Sequence, residues 1–298
     1  MKAKILDITA NHPSLVNGLA AKLMENFPDK PVLTYDDYLQ VEDLYLKGGM
    51  GKNGSKIIDK AQKYRHFVER LIFTDEKARF MIFHERTKEI VECGLITHDK
   101  DYHIILKVPL FQKYLHAAFY PNIGSEIDYI QENIHAKVYL DETGCLNLDK
   151  VIEKYKTYVQ QRGFLPFREQ DKKGNDLSIP EAVMIYSFQT FIHALLGVVG
   201  GKSYLEANKA LDKTYLIIHT RGHEQVVAAK IYQHYTQFGD SKIQLAHFAQ
   251  RQGLKTGYFL VFVSSNVTLT AVIEADEIIE GIQIKTYLIC YDSNKDFT

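Results

Sequence analysis

The chain has 298 residues, 46% of them hydrophobic and 24% charged, which is enough for two domains that each bury a core. The 36 Lys and Arg residues balance 37 Asp and Glu residues, so there is no global charge for a polyanion partner, and any basic surface must be local. Cys93, Cys145 and Cys290 are too few and too far apart for a disulfide framework or a cysteine zinc site. With no signal peptide or long apolar run, we expect a soluble cytoplasmic protein that does not contact membranes.

Residues 1–120 are predicted to be mainly helical. Helical spacing of leucines after "NHPS" predicts a first helix, capped by Asn11 or Ser14, with Met24 on its apolar face. Further helices are predicted over "LTYDDYLQVEDLYLKG", "IIDKAQKYRHFVERLIF" and "KARFMIFHERTKEIVECGLI". Two short β-rich runs around "HDKD" predict a hairpin, and Pro109 then opens another helix. Helices that end in a hairpin are typical of a winged-helix domain.

The period of the apolar pattern changes in the second part of the chain. Residues 121–165 are a predicted connecting segment that includes the amphipathic helix "LDKVIEKYKTYVQQRG". Residues 166–298 contain an apolar helix that starts near Pro180, three strands, a helix capped by Asp240 or Ser241, and two more strands. The expected fold class is therefore α/β, or α+β more broadly: a helical and winged-helix-like domain, then an α/β domain with a mixed central sheet.

Several common motifs are absent. The glycine cluster "GGMGKNGSK" has Leu46 and Asn53 where a phosphate loop needs Gly and Ser or Thr, so we expect a loop between helices. The sequence "HEQVV" lacks the second histidine of a zinc-binding helix, and no serine-hydrolase elbow is present. The chain therefore has no recognisable nucleotide site, zinc site or nucleophile motif of its own.

The stretch "VVAAKIYQHY" contains Lys230 with Ala228 two residues before it. Nucleases of the PD-(D/E)XK type place an acid at that earlier position and a second acid on the neighbouring strand. The two acids bind a divalent cation through oxygen, and the lysine assists the attacking water. A lysine in a strand is common, so this spacing alone is weak evidence.

Longer motifs carry a family resemblance. The segments "PEAVMIYSFQTFIHALLGVVGG" and "QLAHFAQRQGLKTGYFLVF" resemble the PD-(D/E)XK domains at the C-terminus of bacterial AAA-like ATP-binding proteins. The resemblance implies site positions at Glu181, Lys230 and Gln244, with Phe248 where the family has Tyr. It also places Tyr215 and Ala228 where the two metal-binding acids belong, so the nuclease site is expected to be degenerate.

The N-terminal part supports the same resemblance. "ITANHPSLVNGLAAKLM" is similar to the lid segment of those ATPases, and "VECGLITHDKDYHIILKVPLFQKYL" is similar to their winged-helix end. The ATPase core itself has no counterpart in the sequence. The resemblance therefore implies a core on another chain or in a region that precedes this sequence.

The functional hypothesis that follows from the resemblance is a non-catalytic pseudo-nuclease module that binds a protein or a nucleic acid and needs no cofactor. The alternative is a Mg²⁺-dependent nuclease whose carboxylates come from Asp212, Glu224 or Glu181, with Asp212 as the metal ligand. A third possibility is a winged-helix DNA-binding regulator, but the helix predicted over "DEKARFMIFHERTKEIVE" balances acids and bases, which disfavours it.

Overall fold

The computed structural model of the protein describes residues 2–48, 50–74, 77–121, 124–162, 164, 170–208, 213–232, 236–265 and 274–292. The chain forms two compact units. The first comprises Met1–Tyr120 with Ala207–Lys213, and the second comprises Pro121–Glu206 with Thr214–Thr298. The predicted limits 1–120, 121–165 and 166–298 stay predictions.

The first unit is helical with one hairpin. Its elements are α1 (Lys2–Ile8), α2 (Pro13–Asn26), α3 (Tyr35–Lys47), α4 (Gly51–Lys63), α5 (Arg65–Phe73), α6 (Glu85–Glu92), β1 (Ile96–His98), β2 (Ile104–Leu106) and α7 (Pro109–Phe119). The hairpin and the helix start at Pro109 lie where the sequence predicts them. Thr34 caps α3 through a reciprocal pair of hydrogen bonds with Asp37, and this fixes the start of that helix.

Five local expectations for this unit are wrong. The residue that caps α2 is His12, not Asn11 or Ser14, and Met24 is 72% exposed. The single helix predicted before residue 74 is two helices that break at Tyr64. The glycine cluster is not all loop, because α4 already begins at Gly51.

The fifth difference concerns the helix predicted from residue 77, which forms only over α6. Residues 78–80 are instead extended beside the hairpin, because Ala78 and Phe80 bond to its backbone. Such pairing competes with a helix for the same backbone groups, so tertiary contacts override the helical apolar spacing.

The second unit contains α8 (Gly124–Asn133), a short 3-10 turn (Ala136–Tyr139), α9 (Leu148–Arg162), α10 (Pro180–Val199), β3 (Lys202–Asn208), β4 (Lys213–Thr220), β5 (His223–Ile231), α11 (Thr236–Arg251), β6 (Thr256–Ser264), β7 (Ala275–Ile279) and β8 (Ile282–Tyr291). Strand β7 was not predicted. Helix α11 starts before Asp240 and Ser241, so neither is its cap.

The strands form one six-stranded mixed sheet in the order β3-β4-β5-β6-β8-β7. Strand β5 is antiparallel to β4 and parallel to β6, which is in turn parallel to β8. Strand β6 is buried from Gly257 to Val263, as its continuous apolar run predicts for a strand covered on both faces. The protein therefore has the predicted α/β fold class with a mixed central sheet.

Two layers of helices cover the sheet. On one face, Phe238 and Leu245 of α11 lie against Phe259 and the Gly257 backbone of β6. On the other face, Tyr155 of α9 contacts Phe262 of β6 and, from α10, the rings of Phe188 and Phe191. Helix α10 is long and apolar enough to cross a membrane, but 72% of its most apolar window is buried inside the protein, as in a core helix.

Candidate functional site

The face of the sheet under α11 carries part of the predicted nuclease-like site. In β5, Ala228 and Lys230 point to the same side because alternate residues of a strand share a face. Their partners across the parallel ladder are Phe259 and Val261 of β6. Phe259 contacts α11, so Lys230 and Ala228 lie on the α11 side of the sheet.

Two aromatic rings occupy this face in place of carboxylates. Tyr215 of β4 and Phe248 of α11 stack with ring centroids 4.2 Å apart and planes inclined by 21°. Both side chains are fully buried, and Ala228 is only 6% exposed. The positions at which the resemblance expects metal-binding acids therefore belong to the core between sheet and helix.

Gln244 lies one helical turn before Phe248 on α11, so it points to the same side of the helix. Its Oε1 atom is buried and accepts no hydrogen bond from the described residues. A buried acceptor of this kind is costly when it is left unsatisfied. Lys230 is half-buried in the strand below. The α11 face thus holds two of the three predicted family positions.

Glu181 lies in the first turn of α10, on the helix that packs against the opposite face. Its negative charge helps to raise the pKa of Tyr291, although burial of that phenol is the larger cause. Asp212, the metal ligand in the alternative hypothesis of a Mg²⁺-dependent nuclease, is outside the described residues.

Glu224 is the only carboxylate within β4 and β5, and it shares the face of Lys230. It lies six residues earlier in the same extended strand, which separates the two backbone positions by roughly 20 Å at about 3.3 Å per residue. Oxygen ligands of a divalent ion lie within about 2.6 Å of the ion. Glu224 therefore cannot share an ion with a group beside Lys230.

A polar cluster on the opposite face was not predicted. Lys285 of β8 donates to both carboxylate oxygens of Asp149 at 2.9 Å, and the Tyr287 hydroxyl donates to the same carboxylate. Lys285 is also the ladder partner of Tyr258 in β6 and of Asp276 in β7. Five polar side chains from α9 and three strands therefore meet in one place.

The cluster is suited to docking α9 on the sheet rather than to proton transfer. Burial raises the pKa of Tyr258, and the charges of Asp149 and Asp276 raise it further. Burial likewise raises the pKa of Tyr287, as does its bond to Asp149. Both phenols hold their protons more tightly than usual, which is opposite to what a general base needs. No sequence pattern reveals the cluster, because Asp149 and Lys285 are 136 residues apart.

A third group of polar side chains lies in the β1–β2 hairpin. Potential ligand atoms of Asp99, Asp101 and His103 lie within 4.8 Å of one another. Asp99 Oδ1 already accepts the backbone N–H groups of Asp101 and His103 at 2.9 and 2.8 Å. These bonds hold the hairpin turn and lower the pKa of Asp99. The geometry is that of a turn stabilised by its own aspartate.

Comparisons of this chain with protein-family models, curated proteins and solved structures found no match.

Proposed function

We propose that this protein is a non-catalytic module with a PD-(D/E)XK-like domain that acts through interaction with a protein or a nucleic acid. The observation that supports the proposal is the stacked pair of Tyr215 and Phe248 on the face where the resemblance expects a metal site. A divalent ion there would face aromatic carbon and the methyl group of Ala228 rather than anionic oxygen. The metal-dependent cleavage of a phosphodiester has no basis without those ligands.

The order of elements in the second unit also supports the proposal. Helix α10, the antiparallel pair β4 and β5, the crossover helix α11 and the parallel strand β6 follow one another as the resemblance implies. Lys230 and Gln244 occupy the α11 side of that arrangement. In this proposal they are remnants of a catalytic face, and the partner binds elsewhere. An ATPase core on another chain is the partner class that the resemblance suggests, and the three free thiols suit a reducing cytoplasm.

In the alternative proposal the protein is a Mg²⁺-dependent nuclease with Asp212 as a carboxylate beside Lys230. Glu181 is the other carboxylate of that hypothesis, but it lies on the helix that packs against the opposite face. The two proposals differ in whether the protein binds divalent cations and cleaves DNA. Calorimetric titration of Mg²⁺ and Mn²⁺ into the 298-residue chain, with a plasmid-cleavage assay on the same preparation, separates them.

We expect neither specific metal binding nor cleavage. Cleavage that is lost in Lys230→Ala but kept in Lys255→Ala, a change at an exposed lysine of the same unit, would overturn the non-catalytic proposal. A second variant tests the resemblance itself. Tyr215→Asp combined with Ala228→Glu restores both acids, and a folded protein that gains Mg²⁺ binding would support a nuclease-derived face.

A further inference from the structure

A third chain segment extends the β1–β2 hairpin of the first unit. The N–H of Ile104 donates to the Ala78 carbonyl at 2.7 Å, and the N–H of Phe80 donates to the Tyr102 carbonyl at 2.8 Å. Arg79 pairs with His103 as an isolated antiparallel bridge. Residues 78–80 therefore lie along the edge of the hairpin, next to residues 102–104.

Large apolar side chains lie exposed immediately after this edge. Met81 is 51% exposed, Ile82 is 39% exposed and Phe83 is 97% exposed. Contiguous exposed apolar side chains are uncommon on the surface of a folded protein, and they often mark an interaction site. Phe83 in particular presents both faces of its ring to solvent.

Three rings form a ladder across the hairpin beside them. The ring centroids of Phe80 and His98 are 5.0 Å apart, and those of His98 and Tyr102 are 4.8 Å apart with planes inclined by only 9°. Tyr102 is 64% exposed. The ladder therefore ends in a phenol ring that can accept another flat group by stacking.

Tyr102 keeps this position in a strained backbone conformation. Its φ is +58°, in the left-handed region that glycine adopts readily and that an aromatic residue adopts at a cost. Hairpins commonly place glycine at such a position after a turn. A use of the ring outside the fold of the hairpin would account for a tyrosine at this position.

Three exposed cations lie in the same chain segments as the rings. Lys77, Arg79 and Lys100 are all exposed, at the edge segment and at the tip of the hairpin. Among the described residues, Asp99 directs one carboxylate oxygen at its own turn, while Asp101 and Glu85 are exposed acids in the same segments, so the cations do not give the surface a large net charge. Stackable rings beside lysine and arginine are the combination that single-stranded nucleic acids require.

We propose that the hairpin surface, defined as Phe80, Phe83, His98 and Tyr102 with Lys77, Arg79 and Lys100, binds single-stranded nucleic acid. Unpaired bases stack on the exposed rings of Tyr102 and Phe83, and the cations contact the phosphates. A duplex is the poorer ligand because its bases are already stacked on each other. This inference rests on the proposed nucleic-acid-associated role and names the ligand class, but it uses residues of the first unit alone.

The test is fluorescence anisotropy of a labelled oligo-dT of about 20 nucleotides, the length scale of one or two single-strand sites. The 298-residue chain is titrated into the oligonucleotide in EDTA, at low and at higher salt, with the dA·dT duplex as competitor. The ring variants are Tyr102→Gly and Phe83→Ala. Matched controls are Glu280→Gly, which relaxes another exposed residue with positive φ (+52°), and Met24→Ala, which removes another exposed apolar side chain.

We expect saturable, salt-sensitive binding of oligo-dT that the duplex competes poorly. Each ring variant should weaken binding by about tenfold or more, as stacked aromatic residues do, and both controls should bind like the wild type. Tyr102→Gly should melt close to the wild type, because the relief of backbone strain offsets the lost stack on His98, and a melting curve shows whether lost binding reflects unfolding.

The proposal is overturned if the wild type does not bind oligo-dT, if both ring variants bind like the wild type, or if the duplex competes as well as the single strand. Self-association that is lost in Phe83→Ala, without oligonucleotide binding, would identify a protein interface instead. The metal and cleavage assays do not involve this surface, so either proposal can fail while the other stands.

Discussion

Buried His116 should make the protein markedly less stable as the pH falls below neutrality. The imidazole is completely buried on α7, where it stacks on Phe73 with ring centroids 5.3 Å apart. Burial lowers its pKa from 6.5 to about 3, and the positive charge of Lys113 lowers it as well. The folded protein therefore holds this histidine neutral at pH values where the unfolded chain protonates it.

The sign and size of the effect follow from proton linkage. Between the folded and unfolded pKa values the unfolded chain binds more protons, so the stability contribution is complete above about pH 6.5 and is lost as the pH falls toward about 3. At about 1.4 kcal/mol per pH unit, the free energy of unfolding should fall by about 2 kcal/mol between pH 7 and pH 5 from this group alone. Carboxylates titrate mainly below this window.

Urea unfolding at the two pH values, for the wild type and for His116→Gln, measures the contribution of His116 to the pH dependence of stability. Glutamine is similar in size and cannot titrate, so the variant should lose about 2 kcal/mol less than the wild type on acidification. Other groups titrate alike in both proteins and cancel in the difference. His84→Gln, at an exposed histidine of the same unit, should behave like the wild type. Equal losses in the wild type and His116→Gln would refute the reasoning.

Three further predictions concern buried contacts and are measured by chemical denaturation. Phe248→Ala should lower the free energy of unfolding by about 3–5 kcal/mol, because it leaves a cavity within a fully buried stack; a much smaller loss would mean that the face is loosely packed. Lys113→Met should lower the free energy of unfolding by about 3–5 kcal/mol, because it removes the cation that bonds to the buried carboxylate of Glu42 at 2.9 Å. Adding Glu42→Leu to that variant should recover most of the lost stability. No recovery would show that the unpaired carboxylate of Glu42 is not the cause of the loss. Tyr287→Phe should cost about 1–2 kcal/mol through the lost bond to a carboxylate, and an unchanged stability would show that this bond is not needed to dock α9.

The sequence alone determined much of the α/β unit. Apolar runs of strand length, the Pro180 helix start and the buried run of β6 predict elements that the structure contains, because local periodicity reflects which side of an element is buried. The sequence also places Tyr215 and Ala228 at the positions where the resemblance expects metal-binding acids, and folding cannot change the identity of those residues. Strand β7 escaped prediction because its exposed charged residues mask the alternation of an edge strand.

Only the tertiary structure decided how distant residues meet. The stack of Tyr215 on Phe248 and the bond of Lys285 to Asp149 join residues far apart in sequence, and local patterns carry no information about such pairs. The structure also decided that residues 78–80 pair with a hairpin instead of forming a helix, because backbone hydrogen bonds to β2 and its turn replace those that a helix would have supplied. That exchange turns Met81, Ile82 and Phe83 from a predicted helix into an exposed surface.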